Sequence, residues 1–245
     1  MRVEAVVLRH QDWGEADRLL ALFTREMGKV RAVAKGVRKL RSRKAGHLEP
    51  FTRVNLLLAR GREMLIVTQA ETSSTYLPLR EDLVLFGQAS YIVELLDRFT
   101  YEEGENRLLF HLLTDTLARL SNGDSPALVV RYYEMRLLDL LGFRPQLFNC
   151  GRCQEEIKAE DQFFSAELGG ALCPKCGKGY PGAIPVSMSA LKYLRHLQRS
   201  SYADVKRVSL PPGVNREMEA LVEHYLTYLL ERSLNVPRFI KQISR

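Results

Sequence analysis

Hydrophobic and polar positions alternate in short runs along the first eighty residues. In the third run, residues 28–36, aliphatic and basic side chains alternate, so one face of the segment is apolar and the other basic. Five short strands with a longer connection after the third match an OB-fold barrel, and an SH3-like barrel fits nearly as well. The predicted strands occupy residues 3–10, 17–24, 28–36, 53–61 and 63–72.

From residue 80 the apolar positions recur at helical spacing instead. The sequence predicts helices over residues 80–103, 105–123 and 126–141, the last with Ser125 as N-cap and Gly142 at its end. Near the C terminus an apolar stripe indicates a fourth helix, through Met218, Leu221, Val222, Tyr225, Leu226, Leu229 and Leu230.

The predicted fold class is therefore α+β with several domains. A five-stranded OB-fold barrel over residues 1–79 is followed by an α-helical bundle over residues 80–245. The bundle contains an inserted four-cysteine element at residues 146–182.

The four cysteines form two C-x-x-C pairs, Cys150 with Cys153 and Cys173 with Cys176, separated by 19 residues. The intervening segment is expected to turn at Gly169–Gly170 and bring the second pair back to the first. Four thiolates at this spacing indicate one structural Zn²⁺ per chain, because four protein ligands leave no open position for substrate. Two thioredoxin-like redox pairs and an iron–sulfur cluster remain as alternatives.

The basic charge is concentrated in the first third of the chain. Residues 1–80 carry 16 Lys and Arg against 8 Asp and Glu, whereas residues 81–245 carry 20 against 21. This asymmetry is typical of a polyanion-binding module joined to a nearly neutral body. The longest apolar stretches are too short to span a bilayer, so we expect a cytoplasmic protein.

The connection after the third predicted strand, "GVRKLRSRKAGHLEPF", is the most basic part of that module. No acid lies between Lys29 and Glu49, and eight mutually repelling cations destabilise the fold unless a partner compensates them. A solvated loop is the alternative interpretation. Trp13, in the predicted turn between the first two strands, either stacks on a base or packs. The predicted phosphate-binding residues are Lys29, Arg31, Lys35, Arg38, Lys39, Arg41, Arg43 and Lys44.

Motifs for common catalytic chemistry are missing from the sequence. It contains no G-x-x-x-x-G-K-[ST], H-E-x-x-H or G-x-S-x-G segment, so we predict a protein that is not an enzyme. Arg195 and Arg199 of the helical part are expected to be exposed cations with little effect on polyanion binding.

Several segments together resemble the RecO family of bacterial recombination mediators, and the resemblance covers essentially the whole chain. In addition to the two cysteine pairs, the segments that carry this resemblance are "GEADRLLALFTREMGKVRAVAKGVRKLRSR" (14–43), "LEPF" (48–51), "REDL" (80–83) and "LLGFRPQLFNC" (140–150). The resemblance implies an N-terminal OB-fold, a helical domain with a zinc-binding element, binding to single- and double-stranded DNA, and strand annealing. It also implies that the chain works with RecR to load RecA onto DNA coated by single-strand-binding protein, whose acidic C-terminal tail it contacts.

Two other functions share the same electrostatics. An RNA-binding or ribosome-associated OB protein needs the same basic surface, and so does a zinc-containing scaffold whose basic loop meets an acidic protein. The sequence does not locate the groove for the acidic tail, which we expect in the helical domain.

Overall fold

The computed structural model describes residues 1–101 and 104–243, with side chains up to residue 230. The chain divides into two compact units, Met1–Val129 and Val130–Arg245. The predicted functional boundary between residues 79 and 80 lies inside the first unit and stays a prediction.

The first unit begins with a closed, five-stranded, OB-like barrel, which confirms the predicted fold class. Its strands follow the order β1-β2-β3-β5-β4, and β3 pairs with β5 in parallel while the other neighbours are antiparallel. The strands are β1 (Arg2–Trp13), β2 (Asp17–Thr24), β3 (Gly28–Ala34), β4 (Arg53–Arg60) and β5 (Leu65–Ser74).

Alternation along the strands builds the barrel core. Leu20 and Leu22 of β2 pair with Ala32 and Val30 of β3, so the small and large side chains of neighbouring strands fill the interior together. The connection from β3 to β4 leaves this core after Val37 and returns to it at Leu48, both of which are buried. The ten residues between those two anchors are therefore held at both ends.

A short 3-10 helix (Ala45–His47) lies in the connection from β3 to β4. Among the described residues of the first unit, three complete α-helices follow the barrel: α1 (Pro78–Glu81), α2 (Leu83–Phe99) and α3 (Arg107–Ser121). The prediction of one helix from residue 80 is wrong at its start, because Asp82 adopts extended backbone and its carboxylate caps α2 by accepting the N–H groups of Val84 and Leu85. The predicted end of that helix includes residues 102 and 103, which lie outside the described residues.

The second unit contains most of α4 (Pro126–Leu140) and everything that follows. Helix α8 buries the predicted apolar stripe from Met218 to Leu226. No helix in the described part of the chain is long and apolar enough to cross a membrane. The remaining elements are β6 (Gln162–Ser165), β7 (Gly170–Leu172), α5 (Pro174–Gly177), β8 (Ile184–Val186), α6 (Met188–Arg199), α7 (Tyr202–Val205) and α8 (Pro212–Ile243).

Candidate metal centre and nucleic-acid interface

The four cysteines converge on one point of the second unit. The Sγ atoms of Cys150, Cys153, Cys173 and Cys176 all lie within 4.8 Å of one another. The Sγ atoms of Cys153 and Cys173 are 3.9 Å apart, close to the roughly 3.8 Å edge of a tetrahedron with Zn–S bonds of about 2.3 Å. This cluster could therefore hold a metal ion.

Backbone pairing produces this convergence. The strands β6 and β7 form the expected hairpin, but its turn covers residues 166–169 rather than Gly169–Gly170, because Gly170 already pairs with Ser165 as the first residue of β7. Strand β7 leads directly into Cys173. The N–H of Gly151, inside the first pair, donates to Ala171 O of β7 at 2.8 Å. A Cβ at Gly177 would lie 2.5 Å from the Phe163 side chain, so the second pair can lie against β6 only with glycine there.

The electrostatics of the thiols suit a divalent cation. Burial raises the pKa of Cys150, but the backbone N–H groups of Cys153, Cys173 and Arg152 outweigh it and lower the pKa to about 6. Burial and the neighbouring thiols raise the pKa of Cys176 to about 12. Ionisation of one thiol thus opposes ionisation of the others, and a bound cation would remove that conflict.

The basic loop, which we define as residues 35–44, is fixed to the turn between β1 and β2. The N–H of Arg38 donates to Ala16 O at 2.9 Å, and the N–H of Gly36 donates to Asp17 Oδ1 at 2.7 Å. The Arg38 guanidinium also lies 3.2 Å from Asp12 Oδ2. The loop backbone is therefore tied to the barrel, while Val37 is buried and most of the basic side chains are exposed.

Two of the eight predicted phosphate-binding cations, Lys29 and Lys44, are only partly exposed and bond to backbone carbonyls of the fold. Lys29 Nζ donates to Asp97 O at 2.7 Å and Thr100 O at 3.3 Å, and it forms an ion pair with Asp97 Oδ1 at 2.6 Å. Lys29 thus caps the C-terminal end of α2. Lys44 Nζ donates to Lys35 O at 3.2 Å and Val67 O at 3.1 Å. The exposed members of the set are Arg31, Lys35, Arg38, Lys39, Arg41 and Arg43.

Comparison with known proteins decides the family. Residues 1–76 match the model "Recombination protein O N terminal" and residues 80–238 match "Recombination protein O C terminal". A DNA repair protein RecO from Roseiflexus sp. is 42% identical over 99% of this chain and 85% of its own length. One from Pelotomaculum thermopropionicum is 38% identical over 100% of this chain and 94% of its own, and one from Dehalococcoides mccartyi is 34% identical over 100% and 96%. The chain belongs to the RecO family.

The strand register brings one further cation, Arg9, beside the predicted set. Arg9 of β1 lies in register with Ala21 of β2, which lies in register with Arg31 of β3. Because the central alanine is small, the two arginines border a shallow depression on the outer face of these strands, lined also by Gln11 and Leu19. Arg9 lies outside the basic run of the sequence, and only the strand register brings it to Arg31.

Trp13 is the last residue of β1 rather than part of the predicted turn, and its side chain is 47% exposed. Stacking on a base and packing both stay predictions for its ring.

Arg195 is not the exposed surface cation that the sequence suggested. Its guanidinium is half-buried and donates to Leu147 O through Nε at 2.9 Å and through Nη2 at 2.7 Å. Arg199 is exposed, as expected, and its Cζ lies 3.6 Å from the centroid of the Phe148 ring. Helical periodicity cannot reveal such contacts, because Leu147 and Arg195 are 48 residues apart.

Proposed function

We propose that this chain is a non-enzymatic recombination mediator in DNA repair, which binds single- and double-stranded DNA and anneals complementary strands. With RecR it helps to load RecA onto DNA coated by single-strand-binding protein. It acts in the cytoplasm, at the nucleoid. The observation that carries the proposal is the basic loop, whose exposed cations stand on a backbone tied to the barrel.

Charge and geometry both support phosphate binding by this loop. Arg41 and Arg43 are exposed, and Leu40 between the basic residues is fully exposed at 107%. A loop that served packing would bury that leucine. Cations held on a fixed backbone can meet successive phosphates without sequence preference, as annealing of arbitrary complementary strands requires.

The barrel supplies a surface for the unpaired strand. The depression between Arg9 and Arg31 has an apolar floor that includes Leu19 and Ala21. Unstacked bases or sugars can contact such a floor while the arginines hold phosphates, whereas the bases of a duplex are covered. We therefore assign single strands to this face together with the loop.

We further propose that the four cysteines bind one zinc ion and that its role is structural. Four cysteine ligands saturate a tetrahedral ion. The metal would hold together a small element whose sheet has three short strands, β6, β7 and β8. Zinc supplies no chemistry for a reaction here.

The first unit also offers a groove for the acidic tail of single-strand-binding protein. Leu8, Pro50, Phe51, Phe86 and Val93 supply its apolar lining, and Arg9, Glu94 and Asp97 also line it, with Arg9 Nη2 3.5 Å from Asp97 Oδ2. An apolar anchor residue of the tail fits such a lining, with the acidic residues of the tail directed away from Glu94 and Asp97. Part of this groove comes from α2, within the region where we expected the tail to bind.

An annealing assay tests the proposed function. Complementary single strands coated by single-strand-binding protein should anneal faster with the full-length chain, without a nucleotide cofactor. The variant with Arg38, Lys39, Arg41 and Arg43 changed to Ala should lose most of this acceleration, while Lys192→Ala with Arg216→Ala, at exposed positions of the second unit, should keep it.

The same assay separates the alternatives. An RNA-binding protein would bind RNA more tightly than DNA and leave annealing at the spontaneous rate. A scaffold for an acidic protein would bind neither nucleic acid once salt is raised to physiological strength. Either result would overturn the proposed mediator function.

A further inference from the structure

Helix α6 holds the chain on both sides of the first cysteine pair. Arg195 donates two hydrogen bonds to Leu147 O, three residues before Cys150, and its Nη2 lies 3.5 Å from Ile157 O, four residues after Cys153. The chain between these carbonyls is closed by a hydrogen bond from Ile157 N to Phe148 O at 2.9 Å. One guanidinium therefore contacts both the incoming and the outgoing strand of the loop that carries two thiols.

Three further contacts of α6 support this arrangement. The Arg195 Cζ lies 5.0 Å from the centroid of the Phe148 ring, and Arg199 lies over the same ring. The buried amide of Gln198 donates to Pro145 O at 2.8 Å. These contacts fall within residues 145–157, so α6 forms a base for the segment that presents Cys150 and Cys153.

We infer that Arg195 is a positioning residue for the metal centre, and that it slows loss of the metal by holding the loop Leu147–Ile157 closed. The inference rests on the proposed metal site. When the metal dissociates, a loop that stays closed keeps two thiols in place to recapture it, whereas an open loop separates them. Arg195 touches none of the four Sγ atoms in this role and acts through the two carbonyls.

Arginine suits this task better than lysine. Its planar fork presents several N–H donors in fixed directions, so it can reach two carbonyls while lying against an aromatic ring. A lysine ammonium has the same charge but lacks the fork. Arg195→Lys should therefore keep the charge and fold normally while it weakens the contact to one of the two carbonyls.

The experiment measures zinc release from the zinc-loaded full-length chain into excess chelator, followed by the colour of the zinc–chelator complex. Wild-type protein, Arg195→Ala, Arg195→Lys and Arg199→Ala are compared. Removing outer-shell support typically lowers metal affinity about 10–100-fold, so we expect release to be about tenfold faster or more in Arg195→Ala and intermediate in Arg195→Lys. Arg199→Ala removes a cation from the same helix and the same ring, and should stay within about twofold of wild type.

A second readout follows from reciprocity. If Arg195 helps to retain the metal, then removing the metal should loosen the segment that Arg195 holds. Hydrogen exchange at residues 147–157 should therefore increase on zinc removal in wild type, but less than in Arg195→Lys, because the intact Arg195 contacts still hold the loop closed without the metal.

Two results would overturn the inference. The first is zinc release from Arg195→Ala and Arg195→Lys at the wild-type rate. The second is zinc release from Arg199→Ala as fast as from Arg195→Ala, which would assign the effect to the positive charge over the Phe148 ring. If Arg195→Ala does not fold, Arg195→Lys decides. A wild-type chain that takes up no zinc would instead refute the metal assignment itself, and this outcome is recognised before any variant is compared.

Discussion

The basic loop and the four-cysteine element are both dense in one kind of side chain, yet the fold treats them in opposite ways. In the element, a hairpin and two tight turns bring four Sγ atoms within 4.8 Å of one another. In the loop, the backbone is tied to the barrel at Gly36 and Arg38 while the charged ends spread into water. The four-cysteine element therefore concentrates its ligands in one small site, whereas the basic loop distributes its cations over a surface.

This difference predicts how each region responds to mutation. A tetrahedral site requires all its ligands, so the loss of one thiol should abolish it. A phosphate-binding surface sums many weak contacts in high dielectric, so each lost cation should have a small and similar effect. Mutation should therefore give an all-or-none response in the four-cysteine element and a graded response in the basic loop.

The largest effect is expected in the four-cysteine element. Cys150→Ser or Cys173→Ser should reduce bound zinc from about one per chain to nearly none, because binding of structural zinc contributes on the order of 10 kcal/mol to folding of such elements. Elemental analysis gives the stoichiometry, and hydrogen exchange should show residues 145–185 opening while the barrel stays protected. Lys178→Ser, at an exposed position beside the second pair, is the control. Full zinc occupancy in either cysteine variant would show that the site is not all-or-none.

A smaller effect is expected at Lys29, which was predicted to bind phosphate but bonds to the C-terminal end of α2. Lys29→Met removes hydrogen bonds to Asp97 O and Thr100 O and an ion pair whose lysine side chain is 14% exposed. Hydrogen bonds from charged groups contribute about 1.5–3 kcal/mol, so urea unfolding should show a loss of about that size. The salt dependence of DNA binding should not change.

Lys35→Met is the matched control for Lys29→Met, because Lys35 is exposed on the loop. We expect a change within about 0.5 kcal/mol in stability and a reduced salt dependence. The reverse pattern, with Lys29 affecting DNA binding and not stability, would return Lys29 to the phosphate-binding set.

The smallest effect concerns Glu49, the first acid after the basic run. Burial raises the pKa of Glu49, but hydrogen bonds and charge from Arg18 and His10 outweigh burial and hold the pKa below its ordinary value of 4.5. Arg18 Nη1 lies 2.9 Å from Glu49 Oε1. A lowered pKa in the folded state stabilises the protein above the unfolded-state pKa, and this contribution is lost as pH falls through the folded-state pKa.

Glu49→Gln should accordingly destabilise the chain at pH 7 by less than about 1 kcal/mol, since the pair is partly exposed. The difference from wild type should shrink toward zero as pH falls below about 4. Urea unfolding at several pH values measures this difference in the free energy of unfolding. A difference that stays constant down to pH 2 would show that packing rather than charge is responsible.

The sequence predicted those features that depend on local pattern. The barrel strands follow from alternation, the cysteine cluster follows from the two C-x-x-C pairs, and the exposed loop cations follow from the unbroken basic run. Contacts between distant residues were not predictable. Nothing near Lys29 in sequence shows that it reaches Asp97, and the break at Asp82 depends on a side-chain cap that the helical period does not show. The contacts of Arg195 and Arg9 were not predictable for the same reason, because their neighbours in the fold are distant in sequence.

The central claim is that the basic loop binds DNA through phosphate contacts, and the salt dependence of binding tests it most directly. Affinity for single strands and for duplex is measured across a series of salt concentrations for wild type and for chains with one, two and four of Arg38, Lys39, Arg41 and Arg43 changed to Ala. Each lost contact should flatten the slope of log affinity against log salt by about 0.7 on single strands and about 0.9 on duplex, without any change in sequence preference. If the fourfold variant folds normally and keeps the wild-type slope on both substrates, the loop is only a solvated connection and the claim is wrong.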